Sequence, residues 1–570
     1  MTDVASESSA ESPPEPAPRK SAAGTVAAGI FSSRIIGFVR EGAVTYFFGV
    51  SAFYDVFQAA LKGPNLLQNL LGEGTISAAF IPVYSRLIEE GRREEAGRFA
   101  GAIFGLLLAV AAGLVLLGIT FAEQLVTVLT PGFTDDAAKV ARGELPINRF
   151  TVTVQAVRII FPMTGVLVLS AWALGILNSH RRFFLPYFAP VLWNVAIVGG
   201  LFGFAFWQID DPLALGETGL PAEVLRQLLF AAFWGALVGG ALQFLVQLPL
   251  VFGLLKGFRV SLSTKVTGVR EAVNAFGPVV AGRGVYQLSG YLDVLLASLL
   301  AAGALGALRP ALMLYGLPVA LFGLSVAASE LPELARVGAE ARQSFLTRLE
   351  RSMRQTLFLT VPSAIGYLGL GFLIVGALFR RGAFGLNDNW LVYVVLAGYS
   401  LGLIATTVSR LLQNAFYALQ DTKTPAKIAV LRVVVSGALA VPLMFFFDRY
   451  AVSGTLGFTA EGTRLYFGAL GLALGTTAGA WIELWRLVRA LKTRMPACHI
   501  PWAGMAKMAA LATVALAPAG LVWWLVAGWP VLVVAVLVVA TFAAAYLILA
   551  RLLGFDEIDA WAGRFLQRFK

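Results

Sequence analysis

The stretch SSRIIGFVREGAVTYFFGVSAFYDVF, residues 32–57, has the pattern of an apolar helix followed by a short break, yet it carries charges. Arg34 and Arg40 lie within the predicted helix, and Asp55 follows the break. A charged side chain at the centre of a bilayer costs roughly 3 kcal/mol or more unless it faces protein or water. If this stretch crosses a membrane, its charges predict a polar cavity inside the protein.

The composition of the whole chain is typical of a membrane protein. Of its 570 residues, 58% are hydrophobic and only 14% are charged, whereas soluble domains carry about 25% charged residues. Apolar runs of about 18 residues or more recur along the chain, and each is long enough to cross a hydrocarbon core. A transmembrane β-barrel would need alternating segments of about ten residues. We therefore predict an all-α polytopic membrane protein.

The apolar runs predict about fourteen transmembrane helices. The predicted spans are residues 22–48, 56–88, 97–129, 153–179, 186–208, 227–256, 271–303, 308–336, 351–380, 390–419, 424–447, 465–489, 503–527 and 530–552. Residues 1–20 are rich in Ser, Glu and Pro and predict a disordered cytoplasmic tail. We divide the rest into a lobe of helices 1–6 (21–262), a lobe of helices 7–12 (263–498) and two final helices with a cytoplasmic tail (499–570).

The basic residues predict the orientation of the chain. With the N-terminus inside, the predicted inside segments carry roughly three times as many Lys and Arg residues as the outside segments. Cytoplasmic loops show this bias, so we expect a multi-pass protein of the cytoplasmic (inner) membrane with both termini in the cytoplasm. The net charge of +11 is then mostly a topology signal and does not indicate a nucleic-acid partner.

Two pairs of short segments indicate a weak internal repeat. AAFIPVYSR (78–86) resembles ASELPELAR (328–336), and LNSHRRFFLP (177–186) corresponds to YALQDTKTP (417–425). Both pairs are offset by six predicted helices, which puts the two copies on the same side of the membrane. The repeat therefore predicts two parallel six-helix lobes, and repeats of this kind are typical of transporters whose site lies between the halves.

Further charges occur within the predicted spans. Helix 2 carries Lys62 and Glu73 on either side of a Gly-Pro pair that predicts a kink, and helix 7 carries Arg283 and Asp293. Cations that face a cavity suit an anionic ligand, and arginine binds phosphate in a bidentate manner. These residues predict a transporter for an anionic substrate that carries phosphate.

Several motifs resemble the MviN/MurJ family of lipid II flippases. They are FSSRIIGFVREGAVTYFFG, DVFQAALKGPNLLQNLLGEGTISAAFIPV, GILNSHRRFFLPYFAPVLWNV, VQLPL and FYALQDTKTPAKIAV. The resemblance covers most of residues 22–500. It implies two six-helix lobes, a final helix pair that helps to form a groove for the lipid tail, and export of an undecaprenyl-pyrophosphate-linked peptidoglycan precursor. It also implies that a cationic cavity holds the pyrophosphate.

The resemblance assigns candidate substrate-binding residues. Those on family motif positions of helices 1 and 2 are Arg34, Arg40, Asp55, Lys62, Asn65 and Glu73. The chain departs from the family pattern where basic or acidic residues are common, at Gln68, Asn69, Met313 and Gly316. We add Arg283 as the cation that replaces the missing ones, with Arg309 as the weaker candidate.

An ion or gating site is a separate expectation of the resemblance. In some members an acid in helix 7 and polar residues in helix 11 bind sodium, and Asp293 matches the acid. Helix 11 here supplies Arg432 and neither Asn nor Asp, so Arg432 is expected to pair with Asp293 and a sodium site is doubtful. With a single cysteine, Cys498, we predict no metal site and no cofactor. Coupling to the membrane potential or an ion gradient is expected, because no nucleotide-binding motif occurs.

Other functions remain as alternatives. A flippase for a different polyprenyl-pyrophosphate glycan is the nearest alternative, followed by a small-molecule antiporter of the same superfamily and by a membrane enzyme of the same pathway. We expect no catalysis. The expected partners are the lipid-linked glycan, membrane lipid and proteins of cell-wall synthesis, with the chain as a monomer.

Overall fold

The computed structural model describes residues 20–216, 219–324, 342–457 and 464–558. Within these ranges the side chains of some residues are not described. They are residues 20–27, 66, 73, 281–289, 323–324 and 342. The described chain is almost entirely α-helical, and its one β-bridge joins Ala451 to Tyr466. The prediction of an all-α fold is confirmed.

The helices follow one another with short connections. The first half contains α1 (Lys20–Phe48), α2 (Ala52–Leu71), α3 (Glu73–Ala79), α4 (Ile81–Glu89), α5 (Arg93–Thr120), α6 (Ala122–Leu129), α7 (Asp136–Ala141), α8 (Arg149–Ser179), α9 (Phe184–Phe188), α10 (Pro190–Gln208), α11 (Ala222–Leu245) and α12 (Leu248–Leu254). The second half contains α13 (Val269–Ser298), α14 (Ala304–Pro318), α15 (Arg342–Phe379), α16 (Leu386–Ser400), α17 (Leu403–Ala418), α18 (Lys423–Phe447), α19 (Val452–Leu456), α20 (Gly468–Arg494), α21 (Trp502–Leu525) and α22 (Val531–Leu552).

Nine helical segments of the described ranges are long and apolar enough to cross a membrane, and the bent pair α16–α17 makes a tenth. Four more of the predicted spans fall on α1, α2, α13 and α20, which are long helices that carry charged residues. In α1, for example, Arg34, Arg40 and Glu41 lie within about two turns. The polytopic membrane fold is therefore confirmed, while the count of fourteen spans stays a prediction.

Among the described residues, several helices of each half meet at one end of the helix bundle, whereas at the opposite end the second half contacts the first through α13. We call the first of these the Val50 end, after the turn between α1 and α2, and we call the opposite end, where α4 meets α5, the Arg92 end. At the Val50 end, Val50 and Phe133 of the first half share a hydrophobic cluster with Leu300 and Leu308 of the second. At this end, too, the Ala383 N–H donates to the Tyr46 carbonyl at 2.8 Å. These contacts close the bundle at the Val50 end.

A groove of glycines on α5 holds the segment that links the halves. Gly97, Gly101 and Gly105 recur every fourth residue, so they lie on one face of the helix. A β-carbon on any of them would lie 1.8–2.3 Å from a carbonyl oxygen of the segment between α12 and α13. Ser261 in this segment donates its N–H to the Gly101 carbonyl at 3.4 Å. Only glycine leaves room for this close approach.

We expect Gly101→Val to lower the stability of the protein because its side chain would displace the linking segment. Overpacking typically costs about 1–3 kcal/mol. The matched control is Gly113→Val on the same helix, since a β-carbon there meets nothing within 4 Å. Thermal unfolding in one detergent would compare the two variants with the unsubstituted protein. Equal unfolding midpoints for all three would contradict the role of the groove.

The two loops that end at Pro186 and Pro425 share one backbone conformation. In each, the residue five positions before the proline is left-handed: Arg181 has φ of 57° and Gln420 has φ of 58°. In each, the next N–H bonds to the carbonyl five positions back, at 2.8 and 2.9 Å. This pattern is a Schellman motif, which glycine usually forms. Its occurrence in both loops supports the predicted repeat, whereas segment 328–336 lies outside the described residues.

The QDTKTP motif acts as a cap at the start of α18. Asp421 accepts hydrogen bonds from the backbone N–H groups of Lys423 and Thr424, both at 3.0 Å, and from the Arg494 guanidinium. The hydrogen bonds from Thr424, and then the nearby Arg494, lower the pKa of Asp421 to about 2. The carboxylate therefore stays charged at neutral pH, and the motif has a structural role.

Candidate functional site

A cavity of about 740 Å³ lies between the two halves. Its walls come from α1, α2, α8, α10, α11, α13 and α14 and from Ala320 just after α14. The described side chains that line it include four cations, Arg34, Arg40, Lys62 and Arg309, but a single acid, Asp293. A wall with this balance of charge attracts an anion.

Arg34 is the cation that is most available to a ligand. Its side chain is exposed to the cavity and has no hydrogen bond or ion pair with any residue of the described ranges. Gly37, one turn further along α1, lines the same wall, and no other atom comes within 4 Å of where its β-carbon would be. The wall is therefore open beside Arg34, and its guanidinium keeps all five N–H donors for a ligand.

Arg40 also lines the cavity, but it is committed to the protein. It is only 5% exposed, and its Nη2 donates to the Glu41 carboxylate at 3.0 Å. Its guanidinium stacks on the ring of Trp193, 5.0 Å from the centroid. Because one carboxylate already balances its charge, Arg40 offers a ligand less than Arg34 does.

Lys62 stands opposite helix α13. Its ammonium lies 5.7 Å from the ring centroid of Tyr291, whose hydroxyl donates to the Lys62 carbonyl at 2.7 Å. The charges of Lys62 and Asp293 act on each other. The helix runs without a break through Pro64, and Asn65, one turn after Lys62, lines the same wall.

Asp55 lies outside the cavity wall, so its expected contact with the substrate requires another conformation. It is buried at the Val50 end, where its carboxylate accepts hydrogen bonds from Arg149 at 3.0 Å and from the N–H groups of Gly303 and Gly306 at 2.7 Å. Arg149 also binds Asp136 through two hydrogen bonds, at 2.6 and 3.0 Å. The sequence motifs did not point to Arg149 or Asp136. Within this network the bonds from Gly303 and Gly306 to Asp55 join the two halves, and Arg149 and Asp136 hold Asp55 in place.

The amino-acid sequence matches a known family. A sequence model of the family described as "Lipid II flippase MurJ" matches residues 44–544. The chain belongs to the MurJ family. Because this match covers most of the chain, the resemblance seen in the motifs is confirmed.

Curated relatives and solved structures agree with the membership of the MurJ family. The probable lipid II flippase MurJ of Rhizobium tropici is 33% identical over 428 residues, 74% of each chain. The probable lipid II flippase MurJ of Rhizobium meliloti is 32% identical over 85% of this chain and 84% of that protein. A structure titled lipid II flippase MurJ, inward closed conformation, has a TM-score of 0.67 and 22% identity over 93% of this chain and 99% of that one.

A more distant structure extends the likeness of fold. An inward-facing MATE family transporter of the MOP superfamily has a TM-score of 0.56 and 13% identity, with 84% of this chain and all of that one covered. The fold of the MurJ family is thus shared with multidrug transporters. The family itself is one of lipid flippases, so the chain is grouped with transporters.

The positions where this chain departs from the MurJ pattern lie on the cavity wall. Gln68, Asn69, Met313 and Gly316 all line it, so neutral side chains stand where the family often has charges. Arg309, one turn before Met313 on α14, lines the wall with 48% of its side chain exposed. Of the two expected replacements, Arg309 lines the cavity, while the side chains of Arg283 and of the candidate Glu73 lie outside the described residues.

The sodium site of some MurJ proteins does not fit this chain. Arg432 does not form the expected ion pair with Asp293. Its Nη1 instead donates to Glu483 on α20 at 2.7 Å, and Gln413 donates to the other oxygen of Glu483 at 2.9 Å. Arg432 pairs with Glu483 and not with Asp293 because α18, which carries Arg432, packs closely along α20, which carries Glu483. The charge of Arg432 still acts on Asp293, so it weakens the attraction of that carboxylate for another cation.

Proposed function

We propose that this chain moves lipid II, the undecaprenyl-pyrophosphate-linked precursor of peptidoglycan, from the inner to the outer leaflet of the cytoplasmic membrane. The observation that carries this proposal is the basic cavity between the halves, in which Arg34 has no partner among the described residues. The names of the relatives support the choice of lipid II.

The cavity residues suggest how the substrate is held. The pyrophosphate accepts hydrogen bonds from Arg34, whose planar guanidinium suits bidentate binding, while Lys62 and Arg309 add positive charge. Amides such as Asn65, Gln68 and Asn69 lie further along the same wall and face the sugar or peptide part of the headgroup. Arg40 stays bound to Glu41 and shapes the wall. The lipid tail remains in the bilayer.

In the proposed cycle of alternating access, the contacts between the halves at the Val50 end close that end of the cavity and later break. The bias of Lys and Arg residues supports an orientation with the Arg92 end in the cytoplasm and the Val50 end outside. The headgroup then enters from the cytoplasmic side while Asp55, Val50 and their partners hold the Val50 end closed. Rocking of the halves breaks these contacts and exposes the headgroup outside. In this scheme Asp55 and Arg149 act as gate residues, and Asp293 faces the substrate beside Lys62.

Complementation tests the proposed function. Cells depleted of their own lipid II flippase are expected to grow when they express this chain, and they should lyse with an empty vector. Failure to grow, with the protein present in the membrane at normal amounts, would contradict the proposal. The nearest alternative is a flippase for another polyprenyl-pyrophosphate glycan, which the neutral residues Gln68, Asn69, Met313 and Gly316 favour. Comparing the affinity of the purified protein for lipid II with its affinity for other such glycans would distinguish the two functions. Tighter binding of another glycan would make that glycan the substrate.

We expect transport to be independent of sodium, because Arg432 supplies a fixed positive charge in the second half. In proteoliposomes, replacing sodium by potassium or choline should change the rate of lipid II translocation by less than about twofold. The matched control clamps the membrane potential at zero with valinomycin and equal potassium on both sides. A loss of roughly tenfold or more on removal of sodium alone would contradict this expectation.

A further inference from the structure

Glu41 lies at the closed end of the cavity and is held by its own half. Its side chain is fully buried. One carboxylate oxygen accepts from Arg40 at 3.0 Å, and the other accepts from the Tyr54 hydroxyl and from Gln58 at 3.2 Å. These three donors come from α1 and α2. The hydrogen-bonding needs of Glu41 are therefore met without any group from the second half.

Arg309 is the partner of Glu41 from the other half. Its Nε lies 3.8 Å from Glu41 Oε2, on a side chain that is 48% exposed on the cavity wall. That distance is too long for a hydrogen bond, so the attraction is that of a charge pair alone. Among the described residues no other cation of the second half lies within 4.0 Å of this carboxylate. The Arg309–Glu41 contact is therefore a weak tie between the halves, and Glu41 does not need it to satisfy its hydrogen-bonding capacity.

We infer that Arg309 exchanges Glu41 for the diphosphate of the substrate, so that loading of the cavity releases this tie between the halves. The inference rests on the proposed function. A diphosphate offers oxygens at hydrogen-bonding distance in a bidentate arrangement, which the 3.8 Å contact with Glu41 does not. Glu41 loses no hydrogen bond when Arg309 leaves, because Arg40, Tyr54 and Gln58 stay in place.

The position of Arg309 on α14 links this exchange to the gate. Gly303 and Gly306, whose N–H groups bind Asp55, precede Arg309 by one to two turns at the start of the same helix. A shift of α14 that carries Arg309 towards the cavity therefore acts directly on those two hydrogen bonds. An empty cavity keeps α14 against the first half, and a loaded cavity loosens it, so that opening of the Val50 end follows loading.

A double-mutant cycle on lipid II binding tests the exchange. The full chain in nanodiscs is titrated with lipid II, and the dissociation constant is measured by native mass spectrometry. We expect Arg309→Gln to weaken binding roughly tenfold. Glu41→Gln, which removes the competing charge, is expected to tighten binding about threefold or more. In the Arg309→Gln background the substitution Glu41→Gln should have no effect. That pattern requires the two residues to compete.

Other outcomes would overturn the exchange. Unchanged or weaker binding by Glu41→Gln means that Glu41 does not compete for Arg309. A gain that persists in the Arg309→Gln background means that Glu41 acts by repelling the anion or by holding Arg40, and not by competing for Arg309. If the unsubstituted protein binds no lipid II while it binds another polyprenyl-pyrophosphate glycan, the proposed substrate fails and the cycle is run with that glycan.

A second measurement, the distance between the two halves, tests the inference even if the Glu41→Gln variant does not fold. Spin labels on Gly143 and Tyr450, one in each half near the Val50 end, report the distance between the halves in a Cys498→Ser background. Lipid II is expected to lengthen this distance in the reference protein. In Arg309→Gln the distance should be the same with and without lipid II, whereas Arg309→Lys should keep the response. A full response in Arg309→Gln would overturn the inference.

Discussion

Arg34→Ala is expected to reduce lipid II transport to background while the protein remains folded and in the membrane. Arg34 lines the cavity, is exposed there and has no partner among the described residues. Its removal therefore leaves no buried group unsatisfied and should not lower stability. Each charge-assisted hydrogen bond to phosphate contributes about 1.5–3 kcal/mol, so losing a bidentate pair should weaken binding by roughly 100-fold or more.

Growth of depleted cells and lipid II flipping in proteoliposomes would measure this loss. Arg34→Lys keeps the charge without the planar pair of donors, so it should retain part of the activity. The matched control is Arg158→Ala, which removes an exposed arginine of α8 that is absent from the cavity wall. That variant should support normal growth. Normal growth with Arg34→Ala at unchanged protein levels would refute the role assigned to Arg34.

The sequence was sufficient to predict that Arg34 faces a cavity, because its position depends on one helix alone. The apolar run around it identifies a span, and its place about halfway along that span makes lipid exposure costly. The same logic located Lys62 and Asp293, which do line the cavity. A charge inside an apolar helix is recognised from its sequence neighbours alone, so a single sequence is enough to find it.

Partnerships between distant helices could not be predicted in the same way. Arg40 was expected to bind the substrate as Arg34 does, but it is stacked on Trp193, a residue of α10 far along the chain. Arg432 had two acids within reach, Asp293 and Glu483, and only the packing of α18 on α20 decides between them. The sequence spacing of such residues carries no information about distance, so the choice of partner appears only in the folded protein.

The Asp55 network shows the same limit at the gate. Asp55 is a charged residue at the start of a predicted membrane helix, and it was therefore predicted to contact the substrate. The folded chain instead supplies Arg149, which lies 94 positions away, and the N–H groups at the start of α14. Such backbone donors cannot be recognised in a sequence, because every residue except proline has one. A charge that looked free for substrate is fully satisfied by the protein.

Arg149→Met is expected to cause the largest loss of stability among single substitutions at the Val50 end. Arg149 is 1% exposed and bonds to two carboxylates that are as deeply buried, Asp55 and Asp136. Removing the cation leaves Asp55 without a positive partner and Asp136 with only the partly exposed Lys139 at 3.5 Å, and an uncompensated buried charge costs about 3–5 kcal/mol. Asp55→Asn should cost less, since Arg149 would keep both hydrogen bonds to Asp136.

The midpoint of thermal unfolding and the yield of monodisperse protein in one detergent would rank these variants. The matched control is Arg142→Met, which breaks a 2.6 Å ion pair with Glu144 where both side chains are more than half exposed. Exposed pairs contribute about 0–1 kcal/mol, so this variant should unfold close to the unsubstituted protein. If Arg149→Met were as stable as Arg142→Met, water would have to reach Asp55 and Asp136 in the native state. The Val50 end would then be open for much of the time, and Asp55 would be accessible to substrate as the sequence first predicted.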